Sequence, residues 1–246
     1  MSAFFWPGFA RARAGAAEFL PTSIANNVLW LDAADTSTIT ESSGLVSQWD
    51  DKSGLGNDVT QGSGSLQPTT GTETINNVNV ITFADSTMSS SDYAATDNWT
   101  AFTVVEGDAA PTNTDASGPI KKDKNIQINW NHGSGTFRGA VALSVSSSFF
   151  AASLGSLSGS TPYILAGSYD GEEIIASLDG TIITTNTSPS GDADAESADM
   201  FIGGTGVSGS FFDGKIAEII IFSRKLNTDE IDQVEAYLST KWGVSI

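Results

Sequence analysis

From Asn27 onward, apolar residues recur in short runs separated by clusters of Gly, Ser, Asn and Asp. Runs of four to nine residues rich in β-branched and aromatic side chains, bounded by turn formers, predict strands rather than helices. The pattern predicts strands over 28–32, 45–49, 78–83, 101–106, 125–130, 136–143, 162–169, 172–178, 181–184, 200–202 and 214–222. The clearest hairpin is EEIIASLDGTIITT, where Asp179-Gly180 suits the two positive-φ positions of a two-residue turn. One segment breaks the rule. In LNTDEIDQVEAYLSTKWGV, the residues Ile231, Val234, Leu238 and Trp242 fall on one face at helical spacing. Asn227 and Glu230 form a capping-box pair, Leu226 and Ile231 a hydrophobic staple, and Gly243 the stop. Many short strands with one terminal helix predict an all-β chain: a two-sheet antiparallel jelly-roll sandwich, with the helix lying on the sheet that KIAEIIIF leaves.

Composition agrees with many strands and narrows the partners. Only 16% of the 246 residues are charged, and the net charge is −18. Beyond residue 20 the balance is −19, a surface that repels nucleic-acid phosphates and anionic lipid. With no cysteine there is no disulfide, thiolate nucleophile or Cys-bound zinc, and the single histidine, His132, excludes a multi-histidine metal site within one chain.

The opening MSAFFWPGFARARAG differs from the rest. An export signal places positive charge ahead of an apolar run of roughly 7–15 residues. Here the aromatics come first, Pro7-Gly8 interrupts them, and the arginines follow. No segment reaches the ~18 consecutive apolar residues of a membrane helix. Residues 1–20 are therefore expected to be an extended arm ahead of a domain over 21–246. Phe4, Phe5, Trp6 and Phe9 suit burial in a partner, and Arg11 and Arg13 suit an acidic partner surface. The expected setting is assembly in a cytoplasm.

Three stretches carry a family resemblance. The first is LWLDAADTSTITESSGLVSQWDDKSGLGNDVTQ, with Trp49, Asp51, Ser53, Gly54, Gly56 and Asn57 in a W-x-D-x-S-G-x-G-N turn. NVNVITFADSTM follows. The last, FFDGKIAEIIIFSRKLNTDEIDQVEAYLSTKWGV, holds Gly214, Ile216, Ala217 and Glu218 and ends in Lys-Trp-Gly. These resemble the laminin-G-like, concanavalin A-like lectin/glucanase domains of bacteria and bacteriophages. The resemblance spans about residues 28–246 and is weakest over 107–160. It implies a jelly roll, binding that is often of sugars, and in some members a calcium ion. The motif residues themselves read as structural: glycines and Asn57 for turns, Asp51 for an Asx-turn, Trp49 and Trp242 for the core.

Candidate chemistry is sparse. Glucanases of this kind carry alternating carboxylates on one strand, because strand side chains have period two. Asp192, Asp194 and Glu196 alternate, but in an alanine-rich acidic stretch without β-branched residues, which predicts a solvated loop. His132 lies in a Gly-Asn-Ser turn with no nucleophile elbow nearby. No catalytic set is assigned, and the protein is expected not to be an enzyme. The calcium candidates are Asp32, Asp35 and Asp51, with Asp50, Asp58 and the 192–199 stretch, none in a Ca-loop pattern; no cofactor is assigned. For sugar stacking the pool is Tyr93, Trp99, Trp130, His132 and Tyr169, with Phe137, Phe149 and Phe150 behind them. Trp130 stands out because it leaves a strand for a polar turn.

These observations lead to one expectation with two alternatives. The expectation is a virion structural protein: a capsid decoration, head fibre or tail component, homo-oligomeric, bound to other virion proteins through its arm and displaying a lectin-like jelly roll, glycan-binding or not. The alternatives are a bacterial surface or secreted carbohydrate-binding module and, with less support, a glucanase.

Overall fold

The computed structural model describes residues 19–90, 97–108, 117–122, 124–133, 136–194, 199–205 and 209–246. Within them the chain forms seventeen strands. In chain order they are β1 (Asn27–Asp32), β2 (Ile39–Ser42), β3 (Leu45–Trp49), β4 (Val59–Thr60), β5 (Thr69–Ile75) and β6 (Val78–Phe83). Next come β7 (Met88–Ser90), β8 (Trp99–Gly107), β9 (Ser117–Lys122), β10 (Ile126–Gly133), β11 (Thr136–Val145) and β12 (Ser148–Leu157). The last are β13 (Pro162–Tyr169), β14 (Ile174–Leu178), β15 (Thr181–Asn186), β16 (Met200–Ile202) and β17 (Gly214–Phe222), followed by helix α1 (Thr228–Trp242).

All recorded pairings are antiparallel, and they resolve into two layers. The first runs β15–β14–β13–β8–β17, with β1 and β6 sharing the far side of β17. The second runs β2–β3–β4–β7–β16–β9–β10–β11–β12. β5 joins them at one side by pairing with β6 and meeting β3. The alternation of side chains in each strand sends one set between the layers. Leu29, Trp49, Phe83, Trp99, Ile128, Trp130, Leu165, Tyr169, Ile219 and Ile221 belong to that core.

The middle of the first layer, β8 and β17, is buried on both faces, because α1 covers its outer side. Phe102, Ile164, Ala217, Ile220 and Phe222 point outward and pack with Val234, Leu238 and Trp242 of the helix. This is why β8 and β17 read as nearly continuous apolar runs: neither face meets water. The helix begins as the sequence predicts. Asn227 caps it, accepting from Glu230 N at 3.0 Å while Glu230 accepts from Asn227 N, and Gly243 ends it at φ 70°. Two hydrogen bonds from the Arg224 guanidinium hold the Glu230 carboxyl at about 2, well below the usual carboxylate range. Asp179 and Gly180 both take positive φ in the β14–β15 hairpin. Six strands, β2, β4, β5, β7, β9 and β12, lie outside the set the sequence predicts.

Candidate functional site

The sequence motifs converge on one buried carboxylate. A bulge between Ile216 and Glu218 turns both Ala217 and Glu218 toward the helix layer. Gly214 at the start of that strand has φ 150°, and a Cβ there would lie 2.4 Å from the Glu106 carbonyl, so the close approach of β17 to β8 needs a glycine. Glu218 is fully buried and accepts four hydrogen bonds. Trp30 Nε1 and the Tyr237 hydroxyl donate to Oε1 at 2.7 Å each, and Lys241 Nζ (2.8 Å) and Trp242 Nε1 (2.7 Å) to Oε2. Burial pushes the Glu218 carboxyl up, and the Lys241 ammonium opposes that push. Lys241 also pairs with Asp32 at 2.6 Å, and Lys52 bridges Asp32 and Asp35 at 2.8 and 2.9 Å. The starting Trp-Leu-Asp, the Ile-Ala-Glu strand and the final Lys-Trp thus form one polar clamp under the helix.

The W-x-D-x-S-G-x-G-N turn is equally committed. Asp51 Oδ1 accepts from the backbone N–H of Trp30 and Ser53, and Oδ2 from the Ser53 hydroxyl and the Asn57 N–H. Asn57 Nδ2 in turn donates to the Val28 carbonyl. The calcium candidates have other partners here: lysine ammonium groups sit against Asp32 and Asp35, and backbone N–H groups and the Ser53 hydroxyl donate to Asp51. Among the described residues no group of three or more His, Cys, Asp or Glu is placed to hold a metal.

The aromatic candidates are corrected by their burial. Trp99 and Tyr169 are fully buried and Trp130 is 4% exposed, all three between the layers. Trp130 packs against Phe212 and Tyr163, with ring centroids 6.0 Å away in each case, and the Tyr169 hydroxyl donates to the Gly191 carbonyl at 2.6 Å. None offers a ring face to a sugar. Tyr93, Glu196 and the arm residues Phe4, Phe5, Trp6, Phe9, Arg11 and Arg13 lie outside the described residues, as do the side chains of His132 and Phe137. Phe149 is 62% exposed and Phe150 is partly buried. Asp192 and Asp194 sit in a loop. Asp194 Oδ2 accepts from Ser147 N at 2.9 Å, and Ala193 makes an isolated bridge to Val145.

The side chains that do face outward on the second layer are different ones. In NIQINW the parity that buries Ile126, Ile128 and Trp130 turns Gln127 and Asn129 to the other face, Gln127 partly exposed and Asn129 buried at 8% beside it. Register sets Phe201, Lys121, Gln127, Ala142 and Ala151 in one row across five strands. Ala140 and Ser153 continue the row that Asn129 begins, and Phe149 stands opposite Ser144 at the hairpin end. Asn129 Nδ2 donates to Gln127 Oε1 at 3.3 Å, which orients the Gln127 amide. The result is a face where Ala151 and Ser153 are exposed, Ala140, Gln127, Lys121 and Phe201 partly so, and Ala142 and Asn129 buried among them, and no carboxylate belongs to these rows. The signal was present in the strand alternation; it marks the residues between the apolar ones.

A concavity of about 510 Å³ lies between α1 and β14–β15, lined by Phe102, Ala166, Ile175, Ile182, Ile231 and Glu235. Its floor is mostly aliphatic, and the Lys225 beside it is held by Asp170 and Glu173 at 2.6 and 2.7 Å.

A profile described as the concanavalin A-like lectin/glucanases superfamily matches residues 74–232. Among solved structures the chain is similar to domain 4 of AbnA, a GH43 extracellular arabinanase from Geobacillus stearothermophilus, in complex with arabinotriose. Identity there is 14% and the TM-score 0.60, covering 85% of this chain and 98% of that one. It is similar to the botulinum neurotoxin serotype G binding domain at 14% identity and TM-score 0.63, covering 89% of this chain and 54% of that one. It is also similar to the binding domain of Paraclostridial mosquitocidal protein 1, at 10% identity and TM-score 0.62, covering 90% and 53%. The chain thus spans about half of each toxin binding domain, and at these identities the likeness is one of fold. No curated protein matches by sequence.

Proposed function

Because the chain belongs to the concanavalin A-like lectin/glucanase superfamily, we propose that it is a non-catalytic glycan-recognition module whose site is the outer face of the second layer. The observation that carries this is the row Phe201–Lys121–Gln127 beside Asn129, over a floor of small side chains. Amides and an ammonium supply donors and acceptors to sugar hydroxyls, and an alanine and serine floor leaves space for a ring. A glycosidase would need two carboxylates about 5–9 Å apart across the scissile bond. Asp192 and Asp194 instead lie on a loop, with Asp194 bound to a hairpin backbone. The arabinanase domain bound to arabinotriose makes a pentose oligomer the first ligand class to try.

The aromatic and basic opening residues favour a setting on a larger body. Residues 1–20 would fasten the module to a virion by burying Phe4, Phe5, Trp6 and Phe9, with Arg11 and Arg13 against acidic groups.

A glycan array with the full chain tests the site. The expected result is binding that Gln127→Ala and Lys121→Ala weaken about tenfold or more, with an unchanged melting temperature and no released sugar. Deleting residues 1–20 leaves glycan binding intact. Absence of any glycan ligand, or hydrolysis of one, overturns the proposal.

A further inference from the structure

We infer that the concavity between α1 and the β14–β15 hairpin binds a small organic ammonium, an amine carried on an aliphatic or aromatic body. The site lies on the helix side of the first layer, away from the face proposed for glycans.

The walls follow from strand parity and register. In β14, Ile174 and Ala176 face the core between the layers, which turns Ile175 and Ser177 to the helix side. Ile182 of β15 stands opposite Ser177 in the ladder. Ile231 of α1 faces them, and Phe102 and Ala166, both buried, complete the lining. These side chains enclose about 510 Å³, within the range of roughly 300–1,000 Å³ typical of small-molecule sites.

Glu235 supplies the chemistry. It sits one turn beyond Ile231 on the same side of α1 and is 4% exposed. Among the described residues its carboxylate accepts one hydrogen bond, from Ser177 Oγ to Oε1 at 3.3 Å, longer than the usual ~2.5–3.0 Å of such bonds. Oε2 accepts none, and no lysine or arginine pairs with either oxygen. Glu218, as deeply buried, shows the contrast: four donors, Lys241 among them, fill both its oxygens. Buried charges are ordinarily paired. Glu235 is a buried carboxyl whose charge the fold does not answer, and burial, with Asp232 and Asp179 adding to it, pushes it up. An ammonium on Oε2 offsets that cost.

Charge selects the ligand. Lys225 also lines the concavity, but Asp170 and Glu173 hold it at 2.6 and 2.7 Å. Asp232 lines it too, exposed and without an ion pair among the described residues. Two carboxylates thus border an aliphatic hollow on a chain of net charge −18, which draws cations and repels anions. A sugar finds few polar partners on walls of isoleucine. An ammonium donates to Oε2 while its body lies against Ile175, Ile182 and Ile231.

NMR titration of the full chain at neutral pH tests this with n-hexylamine, 1-hexanol and hexanoate. Hexylamine is expected to shift the amide signals of 175–182 and 228–235 saturably, with a dissociation constant of about 1 mM or below. The alcohol binds at least about tenfold more weakly, and hexanoate does not bind. Butylamine binds about tenfold more weakly than hexylamine, since each buried methylene is worth roughly fourfold. Glu235→Gln is expected to weaken hexylamine binding about tenfold or more. Asp229→Asn, which removes a charge from an exposed helix position outside the concavity, leaves it unchanged. The comparison of the three ligands depends on no variant. No saturable shift with hexylamine, equal binding of hexanol, or equal effects of the two substitutions overturns the inference.

Discussion

The indole N–H of Trp30 donates to Oε1 of Glu218 at 2.7 Å, across 188 positions of the chain. Strand pairing explains the meeting. β1 lies beside β17, with Trp30 opposite Ile220, and the β17 bulge turns Glu218 to the same side as Trp30. The bond ties the first strand to the last one, and Lys241 and Trp242 extend the tie to the helix.

Replacing Glu218 with Gln tests the clamp. An amide keeps one acceptor oxygen where the carboxylate has two, so it cannot receive all four donors, and it removes one of the two carboxylates that hold the partly buried Lys241, leaving Asp32. Breaking a buried pair from one side costs about 3–5 kcal/mol. Glu218→Gln is expected to lower the stability measured by urea unfolding by about that amount.

Glu235 gives a pH dependence of definite sign. The residue is 4% exposed, and its carboxyl takes a 3.3 Å hydrogen bond from Ser177 and is pushed up first by burial and further by Asp232 and Asp179. A carboxyl raised in the folded state binds its proton more tightly there than in the unfolded chain. The associated stability is fully present below the ordinary value of 4.5 and is lost as pH rises through the folded value. Glu235→Gln removes that loss. The variant is expected to melt higher than wild type at pH 7 to 8, and the difference is expected to vanish near pH 4, read by calorimetry at both ends.

Asp51 separates a structural turn from a metal site. Four donors fill its two oxygens. Asp51→Ala leaves at least two partly buried backbone N–H groups unpaired, at about 1–3 kcal/mol each, so a loss of about 2–6 kcal/mol is expected. Wild-type melting is expected to be the same in EDTA and in excess calcium. A calcium-dependent rise in melting temperature is the result that would contradict it.

The hairpin, the helix with both of its ends, and eleven of the seventeen strands were legible because their signals are local. Apolar alternation, an Asp-Gly turn and a capping box act over two to four residues, where the backbone itself sets the geometry. Most of the strands that were missed are short or polar. β2 and β5 sit at an edge or a junction with little to bury, and in β12 Phe149, Phe150, Leu154 and Leu157 are spread among Ser, Ala and Gly without regular alternation, so the strand is fixed by its β11 partner across the ladder.

The candidate site shows the limit more sharply. Trp99, Trp130 and Tyr169 are aromatic residues at strand ends, and composition alone cannot say which face of a strand is inside. By itself the sequence determined the β-sandwich class, the terminal helix and the acidic surface, since these follow from local periodicity and charge. Only the tertiary structure decided which side chains meet solvent. The facing of a strand is fixed by its partners in the sheet, and those partners come from distant parts of the chain.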